Sequence, residues 1–473
     1  MTDIAASQSL PASRSTASAL ASLSLAMLLS SLSTSIANVA LPTLSAVFQA
    51  SFPAVQWVVL AYLLAITALI VSVGRLGDLV GRRPLLVAGL ALFSAASLAA
   101  ALAPSLAMLI AARAAQGLGA AVMMALTIAF VGETVPKERT GSAMGLLGTM
   151  SAIGTALGPS LGGVLIGALG WRSIFLVNAA LGVAAMFAAW RFLPGASIVR
   201  PAGKPARFDI IGTLLLAATL VAYALAMTMG RGHFGAVNLA LLALAVLGAA
   251  LFAFAEAKVA SPLVKLALLR DPVLSPSLAM NALVSTVMMA TLVVGPFFLS
   301  RALGLGEAMT GAVLSIGPVV SALCGVVAGR VVDRLGAPAM VLAGLALMVA
   351  GCSALAVLPQ LFGVAGYAAA IVLLAPGYQL FQAANNTVVM ADVGQGERGV
   401  VSGMLSLSRN LGLITGTAVM GALFAFAAGT SEIANAAPAA IAYGMRFTFG
   451  MAAGLVLVAL LMAVLSPSAK RAA

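Results

Sequence analysis

Apolar residues run along this chain in long blocks separated by short polar or turn-forming stretches, and each block is about long enough to cross a bilayer as a helix. Run length and turn signals divide the chain into fourteen such spans. Six come first, over Ala17 to Leu41, Ala54 to Gly74, Leu85 to Ala103, Ala107 to Gly132, Gly141 to Leu169 and Ser173 to Leu193. Ile210 to Met229 and Val237 to Ala255 form a pair. Six more follow, over Leu274 to Ser300, Met309 to Val332, Ala339 to Leu358, Val364 to Met390, Gly399 to Phe426 and Phe447 to Leu465. Between the second and third spans, the stretch from Gly74 to Pro84 predicts a tight hinge at the membrane surface. Gly81 suits the left-handed residue that ends a helix, Arg82 and Arg83 suit its negative end, and Pro84 suits the first position of the next helix. Asp78 stands among three arginines, which predicts an ionic latch.

The pattern repeats. Gly329-Arg330-Val331-Val332-Asp333-Arg334-Leu335-Gly336 echoes the hinge and also follows the second span of its group. Lys137-Glu138-Arg139 before the fifth span matches Gly396-Glu397-Arg398 before the thirteenth, and Gly145, Gly154 and Gly158 pair with Gly403, Gly412 and Gly416. The expected fold is therefore an all-α polytopic membrane protein of six plus two plus six helices, its halves related by a pseudo-twofold axis. Its parts are a cytoplasmic tail over 1–16, a six-helix bundle over 17–193, a connector over 194–208 and a two-helix insert over 209–257. A second connector over 258–273, a six-helix bundle over 274–466 and a tail over 467–473 complete it.

Charge supports the count. With both termini inside, eighteen of the 24 Lys and Arg residues fall in cytoplasmic segments, four fall outside and two, Arg113 and Arg409, fall within spans. Hydrophobic residues make up 62% of the chain and charged residues 8%, which excludes a soluble globular protein. The net charge of +12 does not point to nucleic acid, because the basic residues are scattered singly between apolar spans. Cys324 and Cys352 lie in apolar spans without metal-ligand spacing and read as small buried residues. No metal and no cofactor is expected.

The hinge, read as Gly-x-Leu-x-Asp-x-x-Gly-Arg-Arg, resembles the loop between the second and third helices of the major facilitator superfamily. Arg113-Ala-Ala-Gln116-Gly117 resembles that family's fourth-helix motif, whose arginine is linked to proton movement or to helix packing. Gly154-Thr-Ala-Leu-Gly158-Pro159-Ser-Leu-Gly162 resembles the glycine-proline motif of its antiporters, and places small residues on one face where two backbones approach closely. With Asn38-Val-Ala-Leu-Pro42, Gln56-Trp57 and Trp171-Arg172, the whole chain is similar to the fourteen-helix drug:proton antiporter branch, which also resembles bacterial riboflavin transporters. The resemblance implies alternating access without covalent chemistry, and gating by Gly74, Asp78, Gly81, Arg82, Arg83, Arg113, Gly154, Gly158, Pro159 and Gly162.

One departure matters. Members that expel cations commonly carry an aspartate in the first helix, where this chain has Leu32-Ser33-Thr34-Ser35, and none of its twelve acidic residues lies mid-span. Glu133, near the inner end of the fourth span, is the one candidate proton site. A neutral site is easier to place. Tyr378, Gln379, Gln382, Asn385 and Asn386 fall largely on one side of the twelfth span, with Tyr62, Gln116, Asn38, Asn281 and Arg409 able to complete a substrate site; interhelical hydrogen bonding is the alternative for each. Three functions remain open: an importer of a small, mostly uncharged aromatic metabolite such as riboflavin, a proton-driven multidrug efflux antiporter, and a sensor or scaffold that no longer transports. The first is favoured narrowly, because import runs without proton coupling when the solute is trapped chemically inside. The expected partners are a small-molecule substrate and the lipid bilayer of a bacterial inner membrane, with a monomeric protein and no nucleic acid.

Overall fold

The computed structural model describes residues 12–134, 140–193, 209–229, 235–259, 270–391, 398–430, 433 and 436–466. The side chains of Gly74, Asp78 and Glu133 lie outside the described residues, as do residues 1–11, 194–208, 260–269 and 467–473 of the expected tails and connectors. Every ordered element among the described residues is helical, as a lipid environment demands of a backbone that must satisfy its own hydrogen bonds.

The first group is α1 (Ala12–Val39), the short α2 (Leu41–Val47), α3 (Phe52–Val80), α4 (Arg82–Ala101), α5 (Leu106–Thr134), α6 (Thr140–Leu169) and α7 (Arg172–Phe192). A pair follows, α8 (Ile210–Thr228) and α9 (Ala236–Lys258). The last group is α10 (Leu274–Phe297), α11 (Glu307–Leu335), α12 (Ala337–Ala391), α13 (Arg398–Thr415), α14 (Gly421–Ala427) and α15 (Pro438–Leu465). Fifteen α-helices are thus described, and twelve stretches are long and apolar enough to cross a membrane. The fourteen expected spans do not appear as fourteen separate helices. The eleventh and twelfth run on as α12, broken only at Gly363 (φ 55°, ψ −129°), and the thirteenth is divided into α13 and α14 by a π-helical turn over Gly416–Met420. In α6 the described apolar stretch is shorter, Ile153–Leu169.

Packing follows the sequence repeat. In the first group α1 packs on α6, α3 on α5 and α4 on α7; in the last, α10 packs on α13, α11 on α12 and α12 on α15. The glycine pairing has the same geometry in both. A Cβ on Gly154 would meet the Leu28 carbonyl at 2.3 Å, and one on Gly412 would meet the Ala282 carbonyl at 2.3 Å. The groups meet where α6 lies on α11 and α3 on α13.

The hinge differs from its expected form. Helix α3 continues through the backbone of residues 74 to 80, because charged side chains are no obstacle where a helix leaves the bilayer, and only Gly81 (φ 97°) turns the chain. Arg82, Arg83 and Pro84 then form the first turn of α4, with Pro84 third rather than first. Both arginines reach neighbouring helices. Arg82 Nη1 donates to Ala129 O at 3.5 Å and Arg83 Nη2 donates to Trp190 O, satisfying carbonyls near the C-terminal ends of α5 and α7. Gly336 (φ 86°) makes the matching turn after α11.

Candidate functional site

A cavity of about 640 Å³ lies between the two groups of helices. Its longest wall is the second part of α12, where Tyr367, Ile371, Leu374, Tyr378, Gln382, Asn386 and Met390 face it at helical spacing, with Gln379 beside them. By helix rise these residues cover about 35 Å, most of a bilayer's thickness. Gln382 Nε2 donates to Tyr378 Oη at 3.0 Å, so the two polar groups at mid-wall are set against each other. Helix α10 adds Asn281, Met288, Met289 and Thr291; α11 adds Leu314, Pro318 and Ser321; α13 adds Leu405, Ser406, Arg409 and Leu413. Asn281 Nδ2 donates to Leu405 O at 3.0 Å, which leaves its buried Oδ1 without a partner.

Among the described residues, the first group contributes only hydroxyls, Thr34 and Ser35 from α1 and Ser151 and Thr155 from α6. Ser31 and Ser151 hold α1 to α6 through a 2.7 Å bond between their Oγ atoms. These four were missed by the sequence reading. Their positions carry a signal all the same, since Thr34 and Ser35 occupy the segment where an acid was sought.

Six of the nine expected substrate-site residues line the cavity: Asn281, Tyr378, Gln379, Gln382, Asn386 and Arg409. Asn38, Tyr62 and Gln116 do not. They are buried at 1% exposure or less, and Tyr62 and Gln116 are gathered around Arg113, itself fully buried. Arg113 Nε donates to Val58 O at 2.8 Å, Nη1 to Ser33 Oγ at 3.1 Å and to Gln116 Oε1 at 2.5 Å, and Nη2 to Ser33 O at 3.4 Å. Its guanidinium carbon sits 4.1 Å from the centre of the Tyr62 ring. Gln116 in turn donates to Ser97 Oγ at 2.6 Å, and Tyr62 Oη donates to Ser30 O at 2.9 Å. A cation without a carboxylate recruits every neutral acceptor within reach, and that turns these polar groups inward, away from the cavity. Asn38 is used locally, donating to Thr34 O at 2.9 Å. Asn385 likewise leaves the cavity face and donates to Ser277 O at 3.4 Å.

The glycine-proline face forms the seams. Gly154 and Gly158 pack on α1, where a Cβ on Gly158 would fall 1.8 Å from Ser35 Oγ, and Gly162 packs on Ile36 and Val39. Gly163 and Pro159 instead touch the other group: a Cβ on Gly311 would lie 2.2 Å from Pro159 O and 3.0 Å from Gly163 Cα. At this same end, Phe52 meets Phe297 and Phe424 with ring centres 4.8 and 5.5 Å apart, and Gln56 Nε2 donates to Thr417 O at 2.6 Å. The cavity is sealed there, and its wall runs on toward the end that carries Gly81 and Gly336.

The sequence model of the Major Facilitator Superfamily matches residues 23–417. The riboflavin transporter RibZ of Clostridioides difficile is 30% identical over 397 residues, covering 84% of this chain and 86% of that protein. The multidrug resistance protein Stp of Mycobacterium tuberculosis is 32% identical over 393 residues, covering 82% of this chain and 72% of that one. In three dimensions the chain is similar to a bacterial homologue of the human lysosomal transporter Spinster in its inward-facing, unoccupied conformation, with a TM-score of 0.68, 16% identity and coverage of 97% and 98% of the two chains.

Proposed function

The chain belongs to the major facilitator superfamily and is a secondary membrane transporter rather than an enzyme, and from that premise we propose that it carries a small, mostly uncharged aromatic solute inward, a vitamin-like metabolite such as riboflavin. One observation carries the reading. The cavity is walled by tyrosines, methionines, amides and hydroxyls, and its described lining residues include no carboxylate, so no anionic side chain among them draws in an organic cation or carries a proton. The similarity to a riboflavin transporter supports it. In this reading the chain crosses a bacterial inner membrane fourteen times with both termini in the cytoplasm and works as a monomer. Counting α12 as two crossings, split at Gly363, and α6 as one brings the apolar stretches to that number. Gly81 and its neighbours then lie on the cytoplasmic side, and the sealed end faces outward.

A second reading, proton-driven efflux of drug-like compounds, is supported by the glycine-proline face of α6 at the seam and by the similarity to Stp. One experiment separates the two. Uptake of labelled riboflavin is followed beside a lipophilic dye, with and without a protonophore, in bacteria lacking their own flavin importer. Flavin accumulation that survives the protonophore is the expected result. Dye exclusion that collapses with the protonophore, without flavin uptake, would establish efflux instead.

A further inference from the structure

Among the described residues, Arg409 is the one charged residue in the cavity wall, and no acid accompanies it. It stands about 16 Å along α13 from Arg398, by helix rise deep in the span, and it is exposed rather than packed away. Among the described residues it has no hydrogen-bond or ion-pair partner, in contrast to Arg113, whose guanidinium is saturated by neutral acceptors. An unpaired guanidinium at this depth is costly and faces water or a ligand. Its surroundings leave it able to act on what enters. The cavity is walled mainly by apolar and neutral polar groups, which focus the field of a single positive charge instead of cancelling it. The pseudo-repeat underlines the asymmetry: the glycine pairing of α6 with α13 sets Ser151 opposite Arg409, and both line the cavity, so one half offers a hydroxyl where the other offers a charge.

We propose that Arg409 sets the charge specificity of the cavity, so that the solute is an aromatic body bearing one oxyanion, a carboxylate or a phosphate, held by the guanidinium fork, and organic cations are excluded. This rests on the reading that the cavity holds the transported solute, and it sharpens that solute from mostly uncharged to singly anionic. Tyr378, Gln382 and Asn386 hold the neutral body on the facing wall, and Arg409 takes the anionic group.

Two measurements on the full chain in lipid nanodiscs test it. The first needs no substrate. Ser321→Cys places a thiol in the cavity of a Cys324→Ser, Cys352→Ala background, and its rates of modification by an anionic and a cationic methanethiosulfonate are compared. Arg409→Gln is expected to lower the anionic-to-cationic rate ratio roughly tenfold, and Arg409→Lys to keep it. An unchanged ratio in Arg409→Gln overturns the proposal. The second compares binding of riboflavin, riboflavin 5′-phosphate and a carboxymethyl flavin, which share a ring system and differ in charge. Tighter binding of one or both anionic flavins, by about tenfold and lost in Arg409→Gln, is expected, and shows which oxyanion the site takes. Equal binding of all three, or a preference that survives Arg409→Gln, overturns the anion assignment. If no flavin binds, transport of a flavin is ruled out, and the thiol ratio alone decides the role of Arg409.

Discussion

Two arginines sit within the spans of this protein, and their surroundings give them opposite characters. Arg113 is fully buried, and its hydrogen bonds reach α1, α3 and α5 at once, which makes it a three-helix tie. The tie depends on the planar fork and not on charge alone. Arg113→Met removes the cation together with its desolvation cost and is expected to cost only about 1–2 kcal/mol, whereas Arg113→Lys keeps a buried charge that cannot reach the same acceptors and should cost about 3 kcal/mol or more. Thermal melting of the purified variants checks the order. A lysine variant as stable as the wild type, beside a collapsed methionine variant, would show that charge and not geometry matters there. The same cluster explains where sequence reasoning stopped. The α12 stripe was legible because Tyr378, Gln382 and Asn386 repeat at helical spacing in an otherwise apolar span. Tyr62 and Gln116 were legible as polar but not as turned inward, since spacing fixes a residue's angle on its own helix and says nothing about which neighbour claims it. Thr34 and Ser35 gave less still. Both donate to carbonyls in the preceding turn of their own helix, so a serine or threonine in a span carries no requirement for a cavity.

At the scale of helices, the decisive features are places where a side chain has no room. Gly81 and Gly336 were readable because a helix that must stop and reverse needs a residue tolerant of positive φ, and the two motifs repeat. The run of α3 through residues 74 to 80 was not readable, because charged residues mark where a helix leaves lipid and not where it ends. The seam between α6 and α11 shows the glycine stripe at work. At Gly311 a side chain would strike the Pro159 carbonyl and the Gly163 backbone, neither of which can rotate away. Gly311→Val should therefore keep α6 and α11 apart and reduce solute flux about tenfold or more, while the protein still inserts and purifies as a single species. Gly167→Val is the matched control, one turn beyond Gly163 with nothing within 4 Å of its Cβ position, and should leave flux near the wild-type level. Equal losses in both would mean that the seam has no special part in closure.

For the whole molecule, the α8–α9 pair is tied to both groups, though unequally. Along α3, Ser72 and Thr213 share a 2.7 Å hydrogen bond and Trp57 Nε1 donates to Thr228 Oγ1 at 3.0 Å, while among the described residues a single side-chain bond, from Tyr223 Oη to Thr415 Oγ1 at 3.2 Å, reaches α13. Helix α9 stands outside this arrangement, buries only Asn238, Ala245 and Glu256, and exposes Val237, Leu239, Val246 and Phe254 to its surroundings. When two halves of a transporter rock about a central site, the pair moves with the partner that holds it at more points. Helix α8 is thus expected to travel with α3, and the Tyr223 bond to α13, present with the Phe52 and Gln56 end sealed, is expected to break when that end opens. A hydrogen bond of this kind is worth about 0.6 kcal/mol in a membrane, which is close to a threefold change in a two-state ratio. Tyr223→Phe should barely move the melting temperature but raise the labelling of a Gln56→Cys thiol by an impermeant reagent about threefold. Labelling that stays at the Gln56→Cys level would mean that α13 slides past α8 without being held, and would leave the pair with no part in the balance between the two states.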